Sequence, residues 1–548
     1  MDLMEKVKRP VVEKVCLVVN QGEVIEGALC VTAFHFVFST RIKAQDEIMF
    51  LHTSILLLER QNPSTGTLIN VTLKDFRRFS IDFPDVESCN DVFESLEMLS
   101  HPGRIDKLHP FFFRPRIPPS DIPPFSPENM TSLFTRYKCP PDDWRVSDCN
   151  RGYKLCSSHP EEVIIPAKIN DQEIGAVASF RQHGKFPILS YYNSKQRSVI
   201  LRCGEPLCGT TLKRCKEDIK LLNSCLKIGK GRIFDIRTQQ AAQHHMSKGG
   251  GVEFPSNYSQ WRVEYGSMES ITNIQSSYLK LIDVCSDVNN SSWYGRLESS
   301  GWLTHVEQLL RAVKHVVHSV YQEGTSVVLH GTNGCDGTLQ VSSLAILLMD
   351  PQARTIRGFL QLIEREWLQG GHPFSLRHNI VSAAPEKQKG PIFLLFLDAV
   401  WQIMRQYPLS FEFNELLLHI LFVHSYSSSY GTFLYDNPAE RDRHKLREKT
   451  ESLWDYILLS PDVMSSIINP LYSKNSTLLV VSVHPCSIVF WKRLYLRTDL
   501  SPTLSLESHE VLLKLKAENE ELKEKLIKIR KELDEVQSKG REYSSVWS

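Results

Sequence analysis

Between residues 12 and 83 the apolar positions fall in short runs separated by turn residues: Val15-Cys16-Leu17-Val18-Val19, Ala28 to Phe38, Ile48 to Leu58, Ile69 to Leu73 and Phe79 to Phe83. Ile69, Val71 and Leu73, and then Phe79, Ile81 and Phe83, alternate with their neighbours, which predicts strands that bury one face of a small antiparallel β domain. The period then becomes helical. Cys89, Phe93, Leu96 and Leu99 recur on one face behind Asp85, a predicted N-cap, so a helix should close the domain. Arg77 and Arg78 lie between two strand-like runs, where a solvated turn and a surface facing a membrane are both open.

From Pro110 to Pro127 prolines crowd the chain and exclude a helix or central strand, which marks a linker. Phe111-Phe112-Phe113 would be costly to expose and should dock one domain on the other. Beyond it, Val163 to Pro166 and Phe186 to Tyr191 read as strands among helices, the alternation of an α/β domain. Phe393 to Tyr407 and Phe411 through Phe422 read as core helices parted at Pro408.

The C-terminal pattern is of another kind. Leu512, Leu515, Asn519, Leu522, Leu526, Ile529, Leu533 and Val536 recur at alternating spacings of three and four, the seam of a coiled coil. With Leu515, Leu522, Ile529 and Val536 at d, Asn519 takes an a position, which favours two strands in register. In a parallel homodimer Glu518 would attract Lys523, but Lys525 would repel Arg530 by about a few tenths of a kcal/mol. A more acidic partner helix relieves that, so a hetero-oligomer is expected, with a homodimer as the alternative.

The stretch with candidate chemistry is Ser326 to Thr338: a β-branched run, a glycine-bearing loop and a helix opening at Thr338. Backbone N–H groups in such a loop form a nest for phosphate at the positive end of a helix. Hydrolysing a phosphate ester there also needs a thiolate at the first loop position and an arginine six residues on to clamp the equatorial oxygens. This sequence has neither. Cys335 is no substitute, because its arginine would fall on Val341, so it reads as a small packed residue.

These residues resemble the myotubularin-related 3-phosphoinositide phosphatases, whose loop reads His-Cys-Ser-Asp-Gly-Trp-Asp-Arg-Thr. Aligned without gaps, His330, Gly334, Asp336 and Thr338 match, Thr332 stands at the serine, Asn333 at the first aspartate and Cys335 at the tryptophan. The nucleophile falls on Gly331 and the arginine on Gly337. His330 is expected as a strand-end hydrogen-bonding residue, and Asp336, which matches a residue proposed as a proton donor, as a helix-entry cap. The resemblance extends over Arg181, Phe186 to Ser190, Arg202 to Leu207 with Gly209, Arg214 to Asp218, Lys248-Gly249-Gly250-Gly251 before Glu253, Arg354 to Phe359, Glu364 to Leu368, Gly371 to Phe374 and Trp491 to Arg497. His245 stands where active members carry a pocket asparagine, and Arg357 and Arg365 read as helix-surface residues.

The resemblance implies an α+β multidomain chain. Its parts are a PH-GRAM-like β barrel with a closing helix over 1–105, a proline-rich linker over 106–130, an inactive cysteine-phosphatase-like α/β domain over 131–500 and a coiled coil over 505–540. It implies the inactive branch: a pseudophosphatase that binds active myotubularin-related phosphatases through the coiled coil and regulates their activity, stability or location. The alternatives are a phosphoinositide-binding adaptor without a phosphatase partner and a residual lipid phosphatase with an unrecognised nucleophile. Weak phosphoinositide binding is implied for the N-terminal domain, and the glycines at 331 and 337 leave anion binding by the loop open.

Composition narrows this little. A formal charge of +1 over 548 residues gives no strong field for nucleic acid. Charges at Asp2, Glu5 and Lys6 argue against a signal peptide, so a cytoplasmic protein, peripherally associated with endomembranes, is expected. Thirteen scattered cysteines without a Cys-x-x-Cys pair suggest free thiols, although Cys203 with Cys208 or Cys30 with Cys89 could be pictured as pairs; no metal and no cofactor are expected.

Overall fold

The computed structural model describes residues 3–497 apart from 20–23, 41–46, 61–65, 116–122, 228 and 381–384, together with 521, 522, 524, 525, 528 and 529. The first apolar runs form an antiparallel sheet of seven strands: β1 (Val11–Val19), β2 (Val24–Val31), β3 (His35–Thr40), β4 (Ile48–Leu51), β5 (Ile55–Arg60), β6 (Leu68–Leu73) and β7 (Arg78–Asp82), in the order β4-β3-β2-β1-β7-β6-β5. Ile69, Val71, Leu73, Phe79 and Ile81 are buried, as the alternation requires. The run from Ala28 to Phe38 is two strands, not one. Its turn uses no glycine or proline: the Thr32 hydroxyl accepts from the backbone N–H of Phe34 (3.3 Å) and His35 (2.8 Å).

Helix α1 (Val86–Ser100) closes this sheet, with Asp85 accepting from the Ser88 N–H at 2.7 Å as its N-cap. Cys89, Val92, Leu96 and Leu99 go into the core, while Phe93 packs at its edge. The β6–β7 turn is not a solvated one. Phe76, in the left-handed region at φ 70°, drives its ring into the second domain, 5.0 Å from Tyr495 edge-on, 5.9 Å from Phe422 and 6.0 Å from Tyr278. Arg77 is buried against Asp75 at 2.8 Å, and Arg78 donates to the Ile282 carbonyl at 2.5 Å. Neither arginine is available to a membrane, because the turn is the plug that joins the domains.

The aromatic prelude of the linker docks as expected. Phe111 packs beside Leu108, Ile380 and Tyr435, Phe113 meets Tyr430 edge-on at 5.5 Å, and Phe112, still half exposed, reaches Phe34 at 5.2 Å.

After a two-stranded antiparallel ribbon, β8 (Trp144–Ser147) and β9 (Val163–Pro166), comes a five-stranded sheet of β10 (Ile188–Asn193), β11 (Ser198–Gly204), β12 (Gly231–Arg237), β13 (Trp261–Met268) and β14 (Val327–Gly331). Its order is β10-β11-β14-β12-β13, parallel except for the β10–β11 pair, so Val163 to Pro166 lies outside the main sheet. All residues of β10, β11 and β14 are buried, as a sheet covered on both faces demands. Helices α2 (Trp302–Val317), α3 (Gly337–Met349), α4 (Ile392–Gln406) and α5 (Glu415–Tyr426) continue the core, and α3 is buried on every side from Thr338 to Met349.

Arg365 corrects another expectation. It is buried, 3.2 Å from Glu366 and 3.8 Å from Glu128, whereas Arg357 is half-buried and donates to the Pro123 carbonyl at 3.1 Å. Of the heptad positions, Leu512, Leu515, Asn519, Leu526, Leu533 and Val536 lie outside the described residues. Leu522 and Ile529 are helical and 58% and 57% exposed.

Candidate functional site

Strand β14 ends at Gly331 and α3 begins at Gly337, so residues 332–336 turn the chain at the carboxyl edge of the parallel strands, where open α/β sheets place their ligands. The turn is tight. Gly334 has φ 62°, and a Cβ there would lie 2.5 Å from the Cys203 carbonyl oxygen, which no other residue could tolerate. Beneath it the buried Lys185 Nζ donates to the carbonyls of Gly334 (3.0 Å) and Gly370 (2.8 Å). Burial among carbonyls lowers its pKa.

His330 is fully buried, with Nε2 3.0 Å from Glu253 Oε2 and Nδ1 4.0 Å from Asp235 Oδ2. Burial disfavours its charge, but the two carboxylates prevail and raise its pKa. Glu253 also accepts from Arg181 at 2.6 Å, and Arg181 holds Asp218 bidentately at 2.8 and 2.7 Å. His330 thus anchors the strand end through a buried charge network, the hydrogen-bonding role its position suggested.

Asp336 stands at the N-cap position of α3 but does not cap it with its side chain: no helical N–H reaches its carboxylate. It receives Arg377 bidentately, Nε at 3.0 Å and Nη2 at 2.7 Å, with His372 Nδ1 at 3.2 Å. Burial opposes ionisation, but Arg377 and His372 hold the carboxyl far below the usual range, so it has no proton to give at neutral pH. The Cys335 Sγ lies 3.8 Å from Asp336 Oδ2, and burial together with that carboxylate pushes the thiol up to about 12. A nucleophilic thiolate requires the reverse.

The loop opens on a cleft of about 310 Å³, lined also by Ile236, Arg237, His245, Met268, Ile271 and Lys387. Arg237 is committed to Asp235 (2.9 and 2.7 Å), Glu205 (2.5 Å) and the Gly251 carbonyl (3.1 Å). His245 Nδ1 is 3.3 Å from Glu205 Oε1 and its Nε2 3.5 Å from Thr332 Oγ1; burial lowers its pKa although Glu205 opposes this. The glycine run after Lys248 wraps a carboxylate, not a phosphate: Gly251 N–H donates to Glu205 at 3.2 Å, and a Cβ on Gly250 would lie 2.6 Å from that carboxyl.

The Myotubularin-like phosphatase domain matches residues 110–442, more than half of the chain, and the MTMR6-9, GRAM domain matches 11–100. The chain belongs to the myotubularin family. It is 40% identical to Myotubularin-related protein 9 of Mus musculus over 98% of this chain and 99% of that protein, and 41% identical to its Homo sapiens counterpart over 98% of each. Phosphatidylinositol-3-phosphate phosphatase MTMR7 of Homo sapiens is 32% identical over 95% of this chain and 80% of that one. The GRAM match spans β1 to α1, and the phosphatase match holds the five-stranded sheet and its loop.

The structure gathers Gly331 to Gly334, Asp336 to Thr338 and His245 at one cleft of this myotubularin fold, with His330 and Cys335 outside its lining, and it sets Arg357 and Arg365 elsewhere. Sequence reasoning missed Ile236, Lys185 and the Asp336–Arg377 pair. The partners are 41 residues apart in that pair and 149 between Lys185 and Gly334, separations with no local spacing rule. Among the described residues no helix is long and apolar enough to cross a membrane and no metal-holding cluster occurs, and all thirteen cysteines are free thiols.

Proposed function

We propose that this chain is a catalytically inactive myotubularin, a pseudophosphatase that binds an active myotubularin-related 3-phosphoinositide phosphatase through its heptad segment, residues 505–540, and regulates that enzyme's activity, stability or location. The observation that carries this reading is glycine at both 331 and 337. Without a thiolate no covalent phosphoenzyme forms, and without the arginine the loop forgoes charge-assisted hydrogen bonds of roughly 1.5–3 kcal/mol each. Each loss alone is severe. A Cys335 thiol at about 12 and an Asp336 bound by Arg377 supply no replacement.

For the partner, Leu522 and Ile529 stand seven residues apart on helical turns with more than half their surface exposed, a stripe that a second helix would cover. Lys525 pairs with Glu521 within its own turn at 2.7 Å. The likeness to the enzyme MTMR7 suggests the kind of partner, and the GRAM domain suggests weak phosphoinositide binding and a peripheral place on endomembranes. Affinity capture with the full chain and with a version ending before Ser501 tests the docking element. The full chain should recover an active myotubularin and the shortened one should not. Release of phosphate from 3-phosphorylated inositol lipids by the purified chain, free of any relative, would overturn the reading.

A further inference from the structure

The geometry points to Ile236 as a hydrophobic stopper seated over the phosphate loop, so that the loop takes no phosphate, and restoring either absent side chain requires Ile236 to move. This deepens the reading of positions 331 and 337 given above and rests on it. In the parallel register of β12 and β14 Asp235 lies opposite His330, which brings Ile236 beside Gly331. The side chain is buried, 8% exposed, at the mouth of the cleft. A Cβ built on Gly331 would lie 2.9 Å from both Cδ1 and Cγ1 of Ile236, and one on Gly337 only 2.6 Å from the same Cδ1. Met268 Cε adds a contact at 3.0 Å from the Gly337 position. Real carbon neighbours keep about 3.5–4.0 Å.

One branched side chain therefore fills the space toward which both side chains would project. Isoleucine is stiff at χ1, so clearing Gly331, which meets Cγ1 as well as Cδ1, requires more than a swing of the terminal methyl. Ile236 thus puts carbon beside both ends of the loop, where a phosphate would need its outward oxygens solvated or paired. The cleft also has no arginine to spare, since Arg237 is taken by Asp235 and Glu205. An anion arriving here would meet the carbon of Ile236 and Met268 over the loop and no free guanidinium among the described lining residues, with the exposed Lys387 as the cation at the cleft.

The test is a set of full-length variants: wild type, Ile236→Ala, Gly331→Cys/Gly337→Arg, and the triple, each measured by thermal unfolding and by inorganic phosphate titration. Wild type should bind no phosphate at the loop. The Cys/Arg pair should melt well below wild type, Ile236→Ala should recover most of that loss, and phosphate should bind roughly 10-fold or more tighter to the triple variant than to the pair. A single added carbon guards against misfolding. Alanine for glycine near a helix start ordinarily stabilises. Gly337→Ala should instead lower the melting temperature, and do so less or not at all beside Ile236→Ala. Equal melting shifts in both backgrounds, or phosphate binding by wild type at the affinity of the triple variant, would overturn the stopper. Lipid turnover by wild type with the melting coupling intact and inorganic phosphate still unbound would instead sink the pseudophosphatase reading and leave the stopper standing, the reaction then lying outside the loop.

Discussion

Glu253→Gln perturbs the charge network behind the loop without changing its shape. In the wild type Glu253 accepts from Arg181 at 2.6 Å and lies 3.0 Å from His330 Nε2, while Arg181 is matched on its other side by Asp218 at 2.7 Å, itself bonded by the Tyr258 hydroxyl at 2.7 Å. Arg181, Asp218 and Glu253 are wholly buried, as is His330. With His330 protonated the four charges cancel. Neutralising Glu253 leaves one positive charge too many, so folding must either bury it unpaired, at ~3–5 kcal/mol, or strip the proton from His330, which costs less the higher the pH.

The cost must depend on pH, with a definite sign. His330 has its pKa raised above 6.5, so its contribution is fully present below that value and fades as pH rises through the folded value. Glu253 lies well below its ordinary 4.5, because Arg181 and His330 outweigh burial; its contribution is full above 4.5 and fades only in stronger acid. In Glu253→Gln the imidazole loses its main partner, so burial dominates and the ring sheds its proton on folding. The variant's deficit should therefore grow as pH falls from about 8 toward about 6. Pulse proteolysis across a urea series at several pH values measures it. A deficit below about 1 kcal/mol, or one that shrinks on acidification, would refute the assignment of His330 as a buried cation held by Glu253.

Three further outcomes follow from the same geometry. Phe76→Ala should cost ~3–5 kcal/mol and expose the seam between the domains, read as new cleavage in limited proteolysis between the GRAM domain and the rest. Asp336→Asn should cost ~3–5 kcal/mol by leaving the buried Arg377 without its carboxylate, measured by urea unfolding, with the wild-type advantage full above about 3.8 and fading only in stronger acid. Iodoacetamide at pH 8 should label the exposed Cys486 early and Cys335 very late, because a thiol at about 12 is ionised in only about one molecule in ten thousand there, and peptide mass spectrometry gives the order.

Much of this was legible because it is local. The alternation from Ile69 to Phe83, the Asp85 cap and the buried run into Gly331 follow from neighbours in sequence, and the structure places each as the periodicity implies. The break at Thr32 was hidden because a hydroxyl makes the turn where glycine or proline would have announced it. Arg77, Arg78 and Arg365 read as surface because charge suggests solvent, yet Arg77 is buried against Asp75, and Arg78 and Arg365 are enclosed by elements distant in sequence, the 282 carbonyl for Arg78 and Glu128 for Arg365. Ile236 could not be singled out from other strand isoleucines until the register of β12 against β14 was known.

The supports of the loop explain how it can hold its shape with glycine at both 331 and 337. Lys185 fixes the Gly334 carbonyl from below, Arg377 and His372 fix Asp336 from the side, and Glu253 fixes His330 at the strand end. None of these contacts involves a side chain at 331 or 337, and Ile236 occupies the volume those side chains would need. Folding therefore places no demand on the nucleophile or the clamp, whereas it places a large one on Arg181, Glu253 and Asp336. In a domain built this way the framework, and not positions 331 and 337, carries stability, so substitutions at Arg181, Glu253 and Asp336 should lower it directly, while larger side chains at 331 and 337 should lower it through the clash with Ile236.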